Sequence, residues 1–214
     1  MNALVFANGE LYRPGILRKR IHAESFDLVL AADAGARHAH SLNVKLDVII
    51  GDMDSISDSE RHNAGSIEAM SYPAEKDETD LELALLNAKE RGANRIVVAG
   101  AIGGRMDMTV SNILLITHPS LSLCRVEVWH GNQTGWLIRP PGDVINGHSG
   151  DTVSLIPLGG DVTDITIKGL KHSLNHGRLA FGFARGLSNL LEQPQASVSI
   201  SVGLLFAVHS PGRA

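Results

Sequence analysis

Asp47-Val48-Ile49-Ile50-Gly51-Asp52-Met53-Asp54-Ser55 is an apolar run that stops at a glycine and opens at once into two aspartates one residue apart. A short, unbroken apolar run reads as a strand buried on both faces, the mark of a parallel sheet covered by helices. In open α/β sheets ligands collect at the carboxyl ends of such strands, so Asp52 and Asp54 stand where a ligand is expected. Carboxylates at i and i+2 of a turning segment can converge on one hard cation, because oxygen is the donor that Mg²⁺ accepts while it keeps phosphate partners. The same residues also suit a turn that caps a following helix, with Ser55 or Ser57 as N-cap.

Outward from this point the pattern repeats. Residues 3–7 read as a first buried strand, followed by Asn8-Gly9, a turn whose amides are placed to approach a phosphate or a base. A polar helix over 14–22 leads to a second strand over 28–32, closed by Asp33-Ala34-Gly35-Ala36. Beyond Ser55 the composition predicts a short helix over 57–64 and a weak strand over 67–72 that Pro73 ends. Leu81, Ala84, Leu85 and Ala88 then recur at helical spacing, predicting a helix over 80–91 with Gly92 as its stop. Glu75, Asp77, Glu78 and Asp80 gather at its start, where the helix dipole favours acids, and Lys76 lies among them.

A fifth strand over 95–99 runs into Gly100-Ala101-Ile102-Gly103-Gly104-Arg105-Met106-Asp107. The paired glycines allow close backbone approach, and Arg105 offers a planar fork suited to phosphate oxygens. Asp107 equally suits the first turn of the helix expected over 106–117. A strand over 121–130, containing Trp129, completes this half. No Gly-x-x-x-x-Gly-Lys-Ser/Thr occurs, so a nucleotide has to be held by separate loops from several strands.

From about Gly131 the character changes. Glycine and proline become frequent, helical periodicity stops, and short alternating runs appear at 152–156, 162–167, 178–181 and 197–202, with an apolar run at 203–208. Short strands separated by turn signals argue for an antiparallel sandwich or roll. The expected architecture is therefore a three-layer α/β domain with a mostly parallel sheet over 1–133, followed by an all-β sandwich or roll over 134–214.

Composition narrows the function classes. The 214 residues carry 19 Lys plus Arg against 23 Asp plus Glu, a net charge of −4, which gives no basic field for nucleic acid or anionic membrane. The single Cys124 rules out an internal disulfide framework and reads as a core thiol in a reducing compartment. No apolar run reaches membrane-spanning length and residues 1–7 lack the basic start of a signal peptide, so a soluble cytoplasmic protein is expected.

Taken in order, the strand-end motifs resemble the thiamine pyrophosphokinase (thiamine diphosphokinase) family. The matching stretches are Asp33-Ala34-Gly35-Ala36, Gly51-Asp52-Met53-Asp54-Ser55, Asp77-Glu78-Thr79-Asp80, Gly103-Gly104-Arg105-Met106-Asp107, and Gly169-Leu170-Lys171 with Gly186-Leu187-Ser188-Asn189. The resemblance implies transfer of a diphosphoryl group from ATP to the hydroxyl of thiamine, giving thiamine diphosphate and AMP. It also implies Mg²⁺, ATP as co-substrate, and a homodimer with thiamine at the subunit interface. Carried onto this chain, Asp52, Asp54 and Asp80 are the catalytic carboxylates, and with Asp33 they form the metal cluster. Asn8, Asp33, Lys76, Asp77, Thr79, Arg105 and Asp107 face ATP, while His172, Ser188 and Asn189 face thiamine. Three positions depart from the usual pattern: Met108 replaces His or Gln, His172 replaces Trp or Tyr, and Leu190 replaces Glu. These departures fall on the acceptor side, so a diphosphokinase for another alcohol, such as a pterin methanol, is the nearest alternative. A non-catalytic nucleotide- or thiamine-binding module is a second, against which the retained aspartates argue.

Overall fold

Strands β1 (Asn2–Phe6), β2 (Leu28–Ala32) and β3 (Val48–Gly51) are apolar at nearly every position and buried almost throughout. Side chains of a strand alternate between faces, so continuous burial requires cover on both sides of the sheet. On one side Leu4, Phe6, Val29 and Ala31 share a core with Leu17 and Ile21 of helix α1 (Pro14–His22) and Ala39 of α2 (Ala36–Ser41). Against the other side lies α3 (Asp80–Glu90), over β1, β2 and β3, with Leu81, Ala84, Leu85 and Ala88 buried. Strands β4 (Glu68–Ser71), β5 (Arg95–Ala99) and β6 (Arg125–His130) complete the sheet, in the order β6-β5-β1-β2-β3-β4 with every pair parallel.

This computed structural model describes residues 1–52, 67–73 and 75–212, which form two compact units, Met1–Gly131 and Asn132–Ala214. Asp54 and the helix expected over 57–64 lie outside the described residues. In the first unit, two elements differ from their sequence expectation. Helix α4 (Met106–Leu115) stops two residues early, because the Thr117 hydroxyl and amide both donate to the Leu114 carbonyl, at 2.8 and 2.9 Å. The strand expected from residue 121 begins only at Arg125. Pro119 opens a 3-10 turn over Pro119–Leu121, the His118 ring accepts from Ser120 N at 3.2 Å, and Cys124 N continues the turn to Leu121 O at 2.9 Å. Cys124 is consequently half-buried at the rim of the core, its thiol 3.6 Å from Ala93 O.

The Asn132–Ala214 unit consists of two antiparallel sheets. One pairs β7 (Gln133–Ile138), β14 (Leu205–Ser210), β9 (Thr152–Pro157) and β12 (Asn189–Leu190) in that order. The other runs β11 (Leu174–Leu179), β10 (Val162–Lys168), β13 (Gln195–Ser199), β8 (Gly142–Asn146). Ile138, Val153, Leu155 and Leu205 from the first meet Ile145, Ile165, Ile167 and Val198 from the second in one core, which makes this a β-sandwich. Strands β7, β8 and β12 carry no clean alternation in sequence and emerge only from pairing. The strand expected at 178–181 ends instead at Leu179, since Asp161 binds the Arg178 guanidinium and accepts from Phe181 N at 2.8 Å, turning the chain away. The run expected at 197–202 is shifted to Gln195–Ser199.

Candidate active site

From β1 the chain winds outward through β2, β3 and β4, then returns to lay β5 on the opposite side of β1. Winding reverses between β1 and β5, and at such a switch point the loops leaving the strands diverge and open a crevice. A cleft of about 480 Å³ lies there, lined by Ala7, Asn8 and Gly9 after β1, Asp33 after β2, and Asp52 after β3. Lys76, Glu78, Thr79 and Asp80 line it at the start of α3, and Gly103, Gly104, Arg105, Met108 and Asn112 at the start of α4.

Close backbone packing gives the cleft its shape. A Cβ on Gly9 would fall 2.5 Å from the Gly100 carbonyl oxygen, so only glycine lets the β1 and β5 loops meet, which they do through Gly9 N–Gly100 O at 2.7 Å. Behind this contact the His38 ring donates from Nε2 to Gly9 O at 2.7 Å, and burial pushes its pKa down, which keeps the imidazole neutral. Asp33 occupies the left-handed region at φ 46°, a costly conformation for a non-glycine residue and one found disproportionately at functional sites. Gly51 packs beneath it: a Cβ there would lie 3.2 Å from Asp33 Cα and Cβ.

The charged groups are held in pairs. Lys76 Nζ, four residues ahead of the first residue of α3, donates to Asp80 Oδ1 at 2.7 Å, partly shielded from water. Thr79, the residue before the helix, accepts from Glu82 N at 3.2 Å and so caps α3. Arg105 grips Asp107 with two nitrogens, Nε to Oδ1 at 3.1 Å and Nη2 to Oδ2 at 2.5 Å, leaving Nη1 for other partners. The guanidinium holds the Asp107 carboxyl below the usual carboxylate range, and Asp107 Oδ1 also accepts from Met108 N at 2.9 Å. Asn112, buried, donates to Ala101 O at 2.8 Å and pins the loop that carries Gly103 and Gly104.

Of the residues singled out in the sequence, Asn8, Asp33, Asp52, Lys76, Thr79, Asp80 and Arg105 line this one cleft; Asp77 and Asp107 do not. Glu78 reads in sequence only as part of the acidic run and Met108 only as a departure from the family pattern, while Asn112 and the supporting His38 are not singled out. Asn112 lies one turn after Met108 on α4, and that i, i+4 spacing downstream of Arg105 is the signal that finds it. The donors facing the cleft are oxygens, which suit a hard cation such as Mg²⁺ in kind. Among the described residues no three His, Cys, Asp or Glu side chains are grouped closely enough to hold an ion.

A second cavity, of about 630 Å³, belongs to the Asn132–Ala214 unit and is lined by Lys171, His172, Ser173, Arg185, Gly186, Leu187 and Asn189 over a floor of Leu155, Ile167, Leu174 and Leu179. Asn189 is buried and its amide is engaged on both sides: Oδ1 accepts from His172 N and Nδ2 donates to His172 O, each at 2.9 Å. Its part is to hold His172 in place. Ser188 adopts φ 54°, and its amide donates to Ser154 Oγ at 3.1 Å. No helix among the described residues is long and apolar enough to cross a membrane.

The fold and the cleft together define an α/β protein with a polar crevice at a switch point of its parallel sheet, followed along the chain by a β-sandwich unit. Residues 20–128 match the model for the thiamin pyrophosphokinase catalytic domain, and residues 143–205 the model for the thiamin pyrophosphokinase vitamin B1 binding domain. Thiamine pyrophosphokinase of Bacillus subtilis strain 168 is 31% identical over 166 residues, spanning 75% of this chain and 76% of the relative. Thiamine pyrophosphokinase 1 of Oryza sativa subsp. japonica is 25% identical over 186 residues, 78% of this chain and 67% of the relative. Among solved structures, thiamine pyrophosphokinase from Bacillus subtilis superposes with a TM-score of 0.86 at 24% identity over 99% of both chains. Thiamin pyrophosphokinase from Candida albicans superposes with a TM-score of 0.79 at 18% identity over 98% of this chain and 88% of the other. The chain belongs to the thiamin pyrophosphokinase family of ATP-dependent diphosphotransferases.

Proposed function

We propose that this chain transfers the diphosphoryl group of ATP to the hydroxyl of thiamine, producing thiamine diphosphate and AMP. The observation that carries the reading is the composition of the switch-point cleft, where Asp33, Asp52 and Asp80 stand with Lys76 and Arg105. Acids suited to a cation and bases suited to phosphate oxygens are what a metal-bound polyphosphate requires. Asp33, Asp52 and Asp80 supply oxygen donors of the kind Mg²⁺ takes but are not grouped closely enough in this structure to hold it by themselves; together with Asp54 they are the residues that would hold it, and when bound it would neutralise the polyphosphate and polarise its bridging oxygens.

The chain's own groups do the rest. Before substrate arrives, Lys76 and Asp80 neutralise each other, so neither charge stands uncompensated in the cleft. A polyphosphate would offer Lys76 a stronger anionic partner and free Asp80 of its salt bridge, leaving its carboxylate as one of those that would hold Mg²⁺. Arg105, oriented by Asp107, turns Nη1 to the transferred group. The thiamine oxygen forms its bond to the β-phosphorus as the bond from that phosphorus to the α,β-bridging oxygen breaks. AMP leaves, and a cleft carboxylate accepts the hydroxyl proton. The 1–133 region serves as the ATP/Mg²⁺-binding catalytic domain and the 134–214 region as the thiamine-binding domain, with His172 at the acceptor cavity. We assign the active form as a homodimer acting in the cytoplasm, where a lone thiol such as Cys124 stays reduced. Incubation with Mg-ATP and a panel of alcohols tests the reading. AMP and thiamine diphosphate should appear in equal amounts; ADP as the nucleotide product, or turnover with only a different alcohol, overturns it.

A further inference from the structure

Glycine-rich loops that cradle a polyphosphate do so with free backbone amides. At the switch-point cleft, both amides of the diglycine are already engaged by side chains. Gly103 N donates to the Thr109 hydroxyl at 3.0 Å, and that hydroxyl donates in turn to the Arg105 carbonyl at 3.1 Å, so the first turn of α4 closes back on the loop. Gly104 N donates to Glu10 Oε1 at 3.2 Å. Glu10 reaches this point because the β1 and β5 loops stay paired beyond their strands, with Ala7 N donating to Ala99 O at 2.8 Å, Gly9 N to Gly100 O at 2.7 Å and Glu10 N to Ile102 O at 2.8 Å. The Glu10 side chain then lies along Gly103, where a Cβ would fall 2.7 Å from Glu10 Cβ. Neither Glu10 nor Thr109 lines the cleft, but both hold the backbone from which Arg105 enters it. The Arg105 side chain is 73% exposed, so its direction is set by that backbone and by its pair with Asp107 rather than by packing.

We propose that Glu10 and Thr109 are positioning residues: they take up the two glycine amides to lock the turn, so that this loop meets a polyphosphate through the Arg105 guanidinium and not through its own backbone. The inference rests on the reading that the cleft takes Mg-ATP, and it deepens that reading by dividing the loop between a clasp and a phosphate-binding cation. Geometry favours a clasp over a carboxylate that only holds a place for phosphate. Glu10 is fixed through its main chain as well as its side chain, and Thr109 engages the other amide in the same way.

Calorimetric titration of the full chain with Mg-ATP reads the effect without turnover. Glu10→Ala and Thr109→Val should each weaken binding roughly three- to tenfold, and Glu10→Gln and Thr109→Ser, which keep an acceptor oxygen, should recover most of the loss. In an Arg105→Ala background the same two substitutions should cost less than about twofold, because their effect passes through the guanidinium. Residue-resolved amide exchange of the nucleotide-free chain should find both glycine amides slower than in an unstructured peptide, with Gly104 released by Glu10→Ala and Gly103 by Thr109→Val. Thermal unfolding of each variant verifies that it is folded. Tighter Mg-ATP binding by Glu10→Ala, equal losses with and without Arg105, or unprotected amides at both glycines in the unaltered chain overturns the proposal. AMP release with thiamine, measured on the same preparations, separates it from the proposed function. Turnover without the coupling to Arg105 leaves the function standing and removes this inference, and the coupling without turnover does the reverse.

Discussion

Asp52 stands at the end of β3 and lines the cleft, while Lys76 and Asp80 hold each other at 2.7 Å where α3 begins. Replacing Asp52 by asparagine keeps the shape of the side chain and removes its charge. Turnover of Asp52→Asn should therefore fall by about 10²–10⁴, the usual cost of a lost acid/base or electrostatic group, with an unchanged melting temperature. Steady-state AMP release at saturating Mg-ATP checks this, and near wild-type turnover would remove Asp52 from the reacting group's surroundings. Residue type pointed to Asp52 and Arg105, charges next to a glycine after a strand, and to Lys76, a base among the acids before α3. It did not separate Glu78, which lines the cleft, from Asp77, which does not, since only the turn before α3 decides which of two adjacent acids faces inward. Nor did it reveal that the Asn189 amide is taken up by the His172 backbone.

At the scale of elements, a buried carboxylate ties the start of β9 to the end of β14, its neighbour in the β-sandwich unit's first sheet. Asp151, just before β9, accepts from His148 N at 2.8 Å, from Gly212 N at 2.7 Å and from His209 Nε2 of β14 at 2.8 Å. Burial alone would push its pKa up, but the Gly212 and His148 amides and the His209 ring outweigh it, and the pKa lies below the ordinary value. A carboxyl depressed in the folded state stabilises fully above its unfolded pKa, near ~3.9, and that stabilisation is lost as pH falls through the folded value. Asp151→Asn should lower stability at pH 7 by roughly 1–3 kcal/mol, because one amide-facing acceptor becomes a donor. It should also flatten the acid side of the stability profile. Denaturant unfolding between pH 2 and pH 7 measures both; parallel profiles for the two proteins would show that Asp151 titrates alike folded and unfolded. Nothing local marks Asp151 in the sequence, because its partners lie up to 61 residues away.

For the whole molecule, Phe181, Phe183 and Leu187, on the loop between β11 and β12, are 55%, 72% and 47% exposed. Large apolar side chains exposed together on one loop mark an interaction surface, and a second copy of this chain is the partner that the proposed dimer supplies. Sedimentation at micromolar concentration should return twice the chain mass of 22.8 kDa, and Phe183→Lys should shift the population toward the single chain without unfolding it. A fully active wild-type protein of single-chain mass would exclude the dimer from the mechanism.

The sequence by itself determined that this chain is an α/β unit followed by a β unit, because buried parallel strands leave unbroken apolar runs and a helix leaves its 3.6-residue period at Leu81, Ala84, Leu85 and Ala88. It also pointed to Asp33, Asp52 and Arg105, which follow strand ends near glycines and which the fold brings to one cleft. Only the tertiary structure decided the weakly patterned strands β7, β8 and β12, whose formation depends on partners distant in the chain. The strand order that places β5 beside β1, and with it the crevice between their loops, was likewise decided there. So was the pairing of Lys76 with Asp80 and the gathering of Lys171 and Arg185 at one cavity. Burial and periodicity are encoded locally, residue by residue, whereas a site's electrostatics depend on which distant segments the fold sets side by side.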